Sequence, residues 1–328
     1  MAVPERLKGV VRGSVASVLG SILFSGVCGW TQDAVGVVAQ ASESVAGQVE
    51  SPHEARGEAH GTAVLSYWYG ASYHTPFVLN ETTGKAADIA RNAVEFTHAA
   101  QWGLLSSFTD VTVSQSSIAE PAVSGGTGAT EIYAILRPGV GLNAATRSSA
   151  FTFGPVRDVV FEIGANLETK NSSFAPAERT LYVGPKVVFA MPRGFVNVGL
   201  HYRKEWNHEG VLGRAEDYEP NFNVEPTWLL PFALGKAHLS YSGFAEYNTA
   251  KGRDSFGTET RPEFLLRNSV NVDVGLLMFG RSQMVDLSGG FWYWHNEYGK
   301  PASDPGATQM TPIVGLTFHL DGGRSIRR

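Results

Sequence analysis

From Thr62 almost to the end of the chain, apolar and polar side chains alternate with a period of two, the signature of strands whose successive side chains leave opposite faces. Between Phe195 and Trp206, Val196, Val198, Leu200, Tyr202 and Trp206 share one parity. Asn197, Gly199, His201, Arg203 and Glu205 share the other, and Lys204 breaks the apolar set near the end. Asp158 to Glu168 repeats the design, with Val159, Phe161, Ile163, Ala165 and Leu167 opposite Asp158, Glu162, Asn166 and Glu168. In Leu239 to Asn248, Leu239, Tyr241 and Tyr247 stand against Ser240, Ser242, Glu246 and Asn248. A soluble sandwich produces the same alternation. Length separates the two: soluble strands run to about five or six residues, whereas a tilted membrane strand needs roughly nine to eleven, and these segments match the longer figure.

The pattern predicts strands near 62–75, 92–101, 103–117, 127–142, 156–170, 179–191, 195–207, 219–232, 237–251, 261–277, 283–298 and 309–320. That is an even set of twelve, as a single-chain antiparallel barrel with both ends on one side requires. Connections after the second, sixth, eighth and tenth strands are expected to be short, such as Pro192-Arg193-Gly194. Those after the odd strands are longer and polar, such as His208 to Tyr218. Asn143 to Pro155 breaks this rhythm unless the flanking strands extend into it. The expected fold is all-β: a transmembrane antiparallel β-barrel of about twelve strands, both termini periplasmic, in the outer membrane of a Gram-negative bacterium.

The N-terminus differs from the rest. Arg6, Lys8 and Arg12 precede an uncharged stretch from Gly13 to Gln32, and Ala39-Gln40-Ala41 supplies a small-residue cleavage site before Ser42. Residues 1–41 therefore read as a secretory signal, with a retained membrane anchor as the alternative. Residues 42–61 read as a polar periplasmic segment, 62–320 as the barrel and 321–328 as a short tail ending in Arg327-Arg328.

Composition adds exclusions. Among 328 residues, 43% are hydrophobic and 17% charged, and a mean hydropathy of −0.08 suits a wall whose two faces cancel. A formal charge of −5 lacks the basic footprint of a nucleic-acid binder. Cys28 is the only cysteine, so no intrachain disulfide or cysteine-based zinc site is expected. Gly125-Gly126-Thr127-Gly128 lacks the Lys-Ser/Thr of a phosphate loop. Nine histidines are scattered without helical metal-ligand spacing. Lys251-Gly252-Arg253-Asp254 reads as a solvated loop. His295-Asn296-Glu297 is the nearest approach to an outer-membrane lipase site, but no serine completes it; no catalytic residue, metal or cofactor is assigned.

Function is expected inside the barrel. The inward parity collects Tyr133 and Arg137 with Glu131; Glu162 with Asp158; Tyr182 with Lys186; Arg203 and Glu205; Glu225; Phe244 and Glu246; Arg267 and Asp273; and Trp292 and Trp294 with Asp286. Charges of both signs can brace one another, which is the structural reading of each. Ring faces beside hydrogen-bonding ionised groups suit a flat, polar, uncharged solute such as a nucleoside, with selectivity set by pore diameter and lining. The expected site is Tyr133, Arg137, Glu162, Tyr182, Arg203, Glu205, Phe244, Glu246, Trp292 and Trp294. The expected partners are small polar solutes and outer-membrane lipid, with the chain a monomer. The alternative is a barrel plugged by residues 42–61, whose loops bind a partner.

Several segments resemble a known family. Gly126-Thr127-Gly128-Ala129-Thr130-Glu131-Ile132-Tyr133, Phe153-Gly154-Pro155-Val156-Arg157-Asp158, Val183-Gly184-Pro185-Lys186 and Glu205-Trp206-Asn207-His208-Glu209-Gly210 look like proteobacterial outer-envelope proteins related to the nucleoside-specific channel-forming porins, the Tsx-like family. Lys251-Gly252-Arg253-Asp254 and Phe291-Trp292-Tyr293-Trp294-His295-Asn296 point the same way. The resemblance spans about Thr62 to Leu320. It implies a monomeric twelve-stranded barrel that passes nucleosides by diffusion.

Overall fold

The computed structural model describes residues 59–172, 176–209, 212–320 and 324–325. The signal reading and nearly all of the polar segment lie outside them. The strands are β1 (Ala59–Tyr73), β2 (Ile89–Trp102), β3 (Leu105–Ser116), β4 (Thr130–Leu136), β5 (Gly139–Gly141), β6 (Val156–Lys170), β7 (Arg179–Phe189), β8 (Phe195–Glu209), β9 (Arg214–Asp217), β10 (Asn221–Leu234), β11 (Ala237–Asn248), β12 (Glu263–Asp273), β13 (Arg281–Ser282), β14 (Val285–His295), β15 (Thr308–His319) and β16 (Arg324–Ser325). Each long strand pairs antiparallel with the next, β8 pairs with β10, and β15 closes the ring on β1. With β4 and β5 forming one stave, the wall is a closed antiparallel barrel of 12 strands. Closure leaves no long strand edge unpaired, the condition for crossing a bilayer with strands. No helix among the described residues is long and apolar enough to cross one.

The barrel's first strand begins at Ala59, three residues before the sequence pattern placed it. The fourth stave is interrupted at Pro138, which has no N–H to give to the ladder; its carbonyl still accepts from Ile163 N at 3.1 Å. Two connections depart from expectation. Asn143 to Pro155 is not filled by extended strands: Leu142–Thr146 forms a short helix, α1. Asn143 organises that stretch by accepting from Phe151 N (2.9 Å) and donating to Thr152 Oγ1 (2.9 Å) and Arg157 O (3.1 Å). The strand expected to run to residue 277 stops at Asp273, and the connection after it is not a short turn. Asp273 accepts from Leu276 N at 2.8 Å and caps the helix α2 (Val274–Phe279). Gly280 ends that helix at φ +67°, where a side chain would be strained.

The two faces are inverted relative to a soluble protein. On β6, Phe161 and Ile163 are 43% and 53% exposed while Glu162 between them is 2% exposed. β15 repeats this, with Met310 at 64% beside a fully covered Thr311. Apolar side chains on the outside and ionised ones within are the construction of an outer-membrane barrel. The chain is therefore a protein of the outer membrane of a Gram-negative bacterium.

The hydrophobic packing that does occur inside is local. Trp68, Tyr73, Ile89 and Ile313 pack together at the long-loop end, joined by Val78 and Ala119 from the connections 74–88 and 117–129. Val78 and Ala119 bring these two loops against the inward side chains of the wall.

Candidate functional site

On β6 and β7 covered and exposed positions alternate and turn the residues assigned inward by parity to the interior, and on β11 and β14 their contacts place Phe244, Glu246, Trp292 and Trp294 there. The lumen is built in levels, starting at the long-loop mouth. There Glu120, from the loop after β3, accepts from Ser116 Oγ (2.6 Å) and pairs with Lys170 (2.6 Å) and Arg91 (3.2 Å). Lys170 also reaches Glu131 at 3.0 Å. Across the mouth, Glu205 pairs with Arg203 (2.7 Å) and Lys251 (2.8 Å), and Lys251 reaches Glu263 at 3.2 Å. The Lys251 ammonium sits 4.5 Å from the ring centre of Tyr218. Lys251 and Asp254 are thus buried, with Asp254 bonded to Lys300, and the solvated-loop reading of this stretch holds only for Arg253. Gly252 turns the loop at φ +82°, where an added Cβ would lie 2.8 Å from the Glu219 side chain.

One step deeper, Tyr182 is a hub with no exposed surface. Its hydroxyl accepts from Asn166 Nδ2 (3.1 Å) and Arg203 Nε (3.2 Å) and donates to Glu246 at 3.1 Å. Asn166 also donates to the Tyr133 hydroxyl at 2.6 Å and accepts from Arg137 at 2.8 Å. Arg137 lies 4.1 Å over the Tyr182 ring and pairs with Glu225 at 3.1 Å. Lys186 pairs with Glu162, whose other oxygen is 3.4 Å from His201. Of the expected residues, Tyr133, Arg137, Tyr182, Arg203, Glu205 and Glu246 form one connected network, with Glu162 nearby.

Phe244, Trp292 and Trp294 form a second group, on β11 and β14. Tyr298, from the loop after β14, stands 5.4 Å from Trp294, which is 6.3 Å from Trp292. Trp292 in turn meets Phe244 at 6.3 Å and Tyr73 at 6.4 Å, both edge to face. Arg267, held by Glu95 at 2.7 Å, lies 4.4 Å over the Trp68 ring. The rings therefore make a continuous run from the loop mouth to mid-barrel, and three of its members, Trp68, Tyr73 and Tyr298, were not among the expected site residues. Trp68 was detectable, since it lies on the inward parity of the first strand. Tyr73 follows a register shift after Gly70, and Tyr298 lies in a loop, so parity reaches neither.

Several inward polar atoms have no protein hydrogen-bond partner: Trp68 Nε1, Trp294 Nε1, Arg91 Nε, Arg203 Nη1 and Glu168 Oε1. The lipase reading finds no support in geometry, because its three residues turn to different partners: His295 to Thr308, Asn296 to Pro262 O and Glu297 to Gln309. No cluster of histidine, cysteine and carboxylate with metal-holding geometry occurs among the described residues.

No protein-family model matches the chain, and no curated protein matches it either. Solved structures with similar architecture include two porins and an autotransporter translocator domain. The NanC porin aligns with a TM-score of 0.42 at 8% identity, over 78% of this chain and 98% of that one. The KdgM porin gives 0.39 at 9% identity, again over 78% and 98%. The translocator domain of the autotransporter NalP from Neisseria meningitidis gives 0.39 at 14% identity, over 85% and 92%.

Proposed function

We propose that this protein is a passive outer-membrane channel for small polar solutes, and that nucleosides are the solutes its lumen suits best. The observation that carries the proposal is the run of rings Tyr298–Trp294–Trp292–Phe244 in a lumen that is also lined by hydrogen-bonded ionised groups. A diffusing base exchanges water for one ring face after another, each stack being worth about 1–3 kcal/mol. Such contacts are strong enough to enrich the solute and weak enough to release it. The ribose hydroxyls exchange water for hydrogen bonds to the polar and ionised groups that line the lumen. The braces at the mouth fix the positions of the charged side chains there, so an entering solute meets the same lining each time. In this reading the long loops face the exterior and the short turns the periplasm. The resemblance to the Tsx-like family supports the same solute class. The chain acts alone, without cofactor or covalent chemistry.

The test is solute flux into liposomes carrying the refolded full-length chain. Radiolabelled thymidine or adenosine is expected to equilibrate faster than a neutral disaccharide of similar mass. Replacing Trp292 and Trp294 together by alanine should remove most of that preference while leaving the barrel folded. Equal rates for the two solutes in the intact protein would contradict the nucleoside assignment. Entry of neither would contradict the channel.

A further inference from the structure

The charges of the lumen are not spread evenly along its axis. In mid-barrel each basic side chain already has an acidic partner: Lys186 with Glu162, Arg137 with Glu225, Arg267 with Glu95. Closer to the short-turn end three more inward carboxylates follow, Asp158 on β6, Asp273 on β12 and Asp286 on β14. Among the residues whose side chains are described, which excludes Arg324, no lysine or arginine pairs with any of them. Asp286 meets only His319, at 3.0 Å. Lys186, one inward position from Asp158, is taken by Glu162.

Their placement puts carboxylates on two opposite sides of the barrel. Asp273 and Asp286 are direct cross-strand partners, a like-charge juxtaposition that sheets normally avoid. Asp158 lies across the barrel, since β6 is separated from β14 by β15, β1, β2, β3 and the β4–β5 stave. Fixed donors hold two of the three carboxylates. Asp158 accepts from Asn143 N at 3.1 Å and Val159 N at 2.8 Å. Asp273 accepts from Leu276 N, Ser282 Oγ and Gln283 N. These donors orient the groups and add no cationic side chain. The lining between them is neutral and rich in oxygen. Ser288, two residues from Asp286 on the same inward face, is 3% exposed and its hydroxyl has no protein partner. Ser242, Ser269 and Asn271 share hydrogen bonds on the adjoining strands.

We infer that this end of the lumen is a cation-selectivity region, in which Asp158, Asp273 and Asp286 favour small cations and repel anions. The inference rests on the channel reading and adds the charge class of what passes. Rings of acidic side chains produce cation selectivity in pores, and a narrow low-dielectric wall focuses the field of unpaired carboxylates on the axis. Screening at high salt weakens the effect, because the Debye length falls from about 10 Å at 0.1 M to about 3 Å at 1 M.

The experiment is the zero-current potential of the refolded full-length chain in a planar bilayer, under a potassium chloride gradient at low ionic strength. The intact chain is expected to pass potassium several-fold more readily than chloride, with the ratio falling as salt rises. The double variant Asp158→Asn, Asp286→Asn keeps acceptor oxygens and leaves the helix cap at Asp273 in place; its ratio should move towards one. Current carried mainly by chloride in the intact chain would overturn this inference and leave the channel reading intact. A double variant with undiminished preference would overturn the assignment to these residues. No current in any condition would remove the channel reading and this inference with it. If the double variant fails to refold, the single variant Asp286→Asn serves, and the ratio of the intact chain already decides the sign.

Discussion

Tyr182 and Gly315 illustrate how single positions set the lumen. The Tyr182 hydroxyl takes two donors and satisfies Glu246. Removing it strands partners that water replaces poorly in a covered site. Tyr182→Phe should cost about 1–3 kcal/mol, read as a lower midpoint of urea unfolding in detergent, and an unchanged midpoint would show that the hub is energetically idle. Gly315 is directly opposite Trp68, and a Cβ there would come within 2.5 Å of the indole ring. Gly315→Ala should therefore shift Trp68 from beneath Arg267 at a cost of about 1–3 kcal/mol, measured by the same unfolding curve. At this scale the sequence is readable wherever a residue lies on a regular strand. Parity alone assigns Arg137, Glu162, Tyr182, Arg203 and Glu246 to the interior. It cannot show which charges pair, because Arg137–Glu225 and Lys251–Glu205 join strands and loops far apart in the chain.

Elements carry the next set of consequences. Strand existence is legible from alternation, and β6, β7 and β15 fall within a few residues of the predicted limits. The departures occur where a local signal competes with alternation: a proline at 138, an aspartate positioned to cap at 273, and an asparagine at 143 that satisfies nearby backbone. Loops escape prediction more fully, since nothing periodic marks Lys251, Asp254 or Tyr298 as inward. The loop between β14 and β15 has a pH dependence of its own. Burial pushes the Glu297 carboxyl up from 4.5 to about 8, against the opposing pull of Arg91 and Lys170. Gln309 donates to it at 2.7 Å. The folded loop thus retains a proton that the unfolded chain releases. Its contribution to stability is complete below about pH 4.5, declines as pH rises, and is gone above about pH 8. Limited proteolysis of the full-length protein across that window should show the 296–307 loop becoming more accessible as pH rises, with Glu297→Gln flattening the profile. A loop equally protected on both sides of pH 8 would contradict this.

As a whole molecule, the chain exchanges the usual arrangement of a folded protein: its apolar side chains form the outer surface and its ion pairs fill the interior. Isolated charges in that interior would be costly, which is why nearly every basic group is matched. Breaking one match is expected to be expensive: Lys251→Ala leaves Glu205 and Glu263 without their shared cation and should destabilise by about 3–5 kcal/mol, again measured by unfolding in detergent. What remains unmatched, the aromatic run and the aspartates at the short-turn end, is where solute and ion selection reside in this account. The measurement that bears most directly on it is single-channel current through the refolded full-length protein, with and without added adenosine or thymidine. The account predicts a small steady current that falls in proportion to nucleoside concentration and recovers on washout. A steady current indifferent to nucleosides, or no current at all, would contradict it.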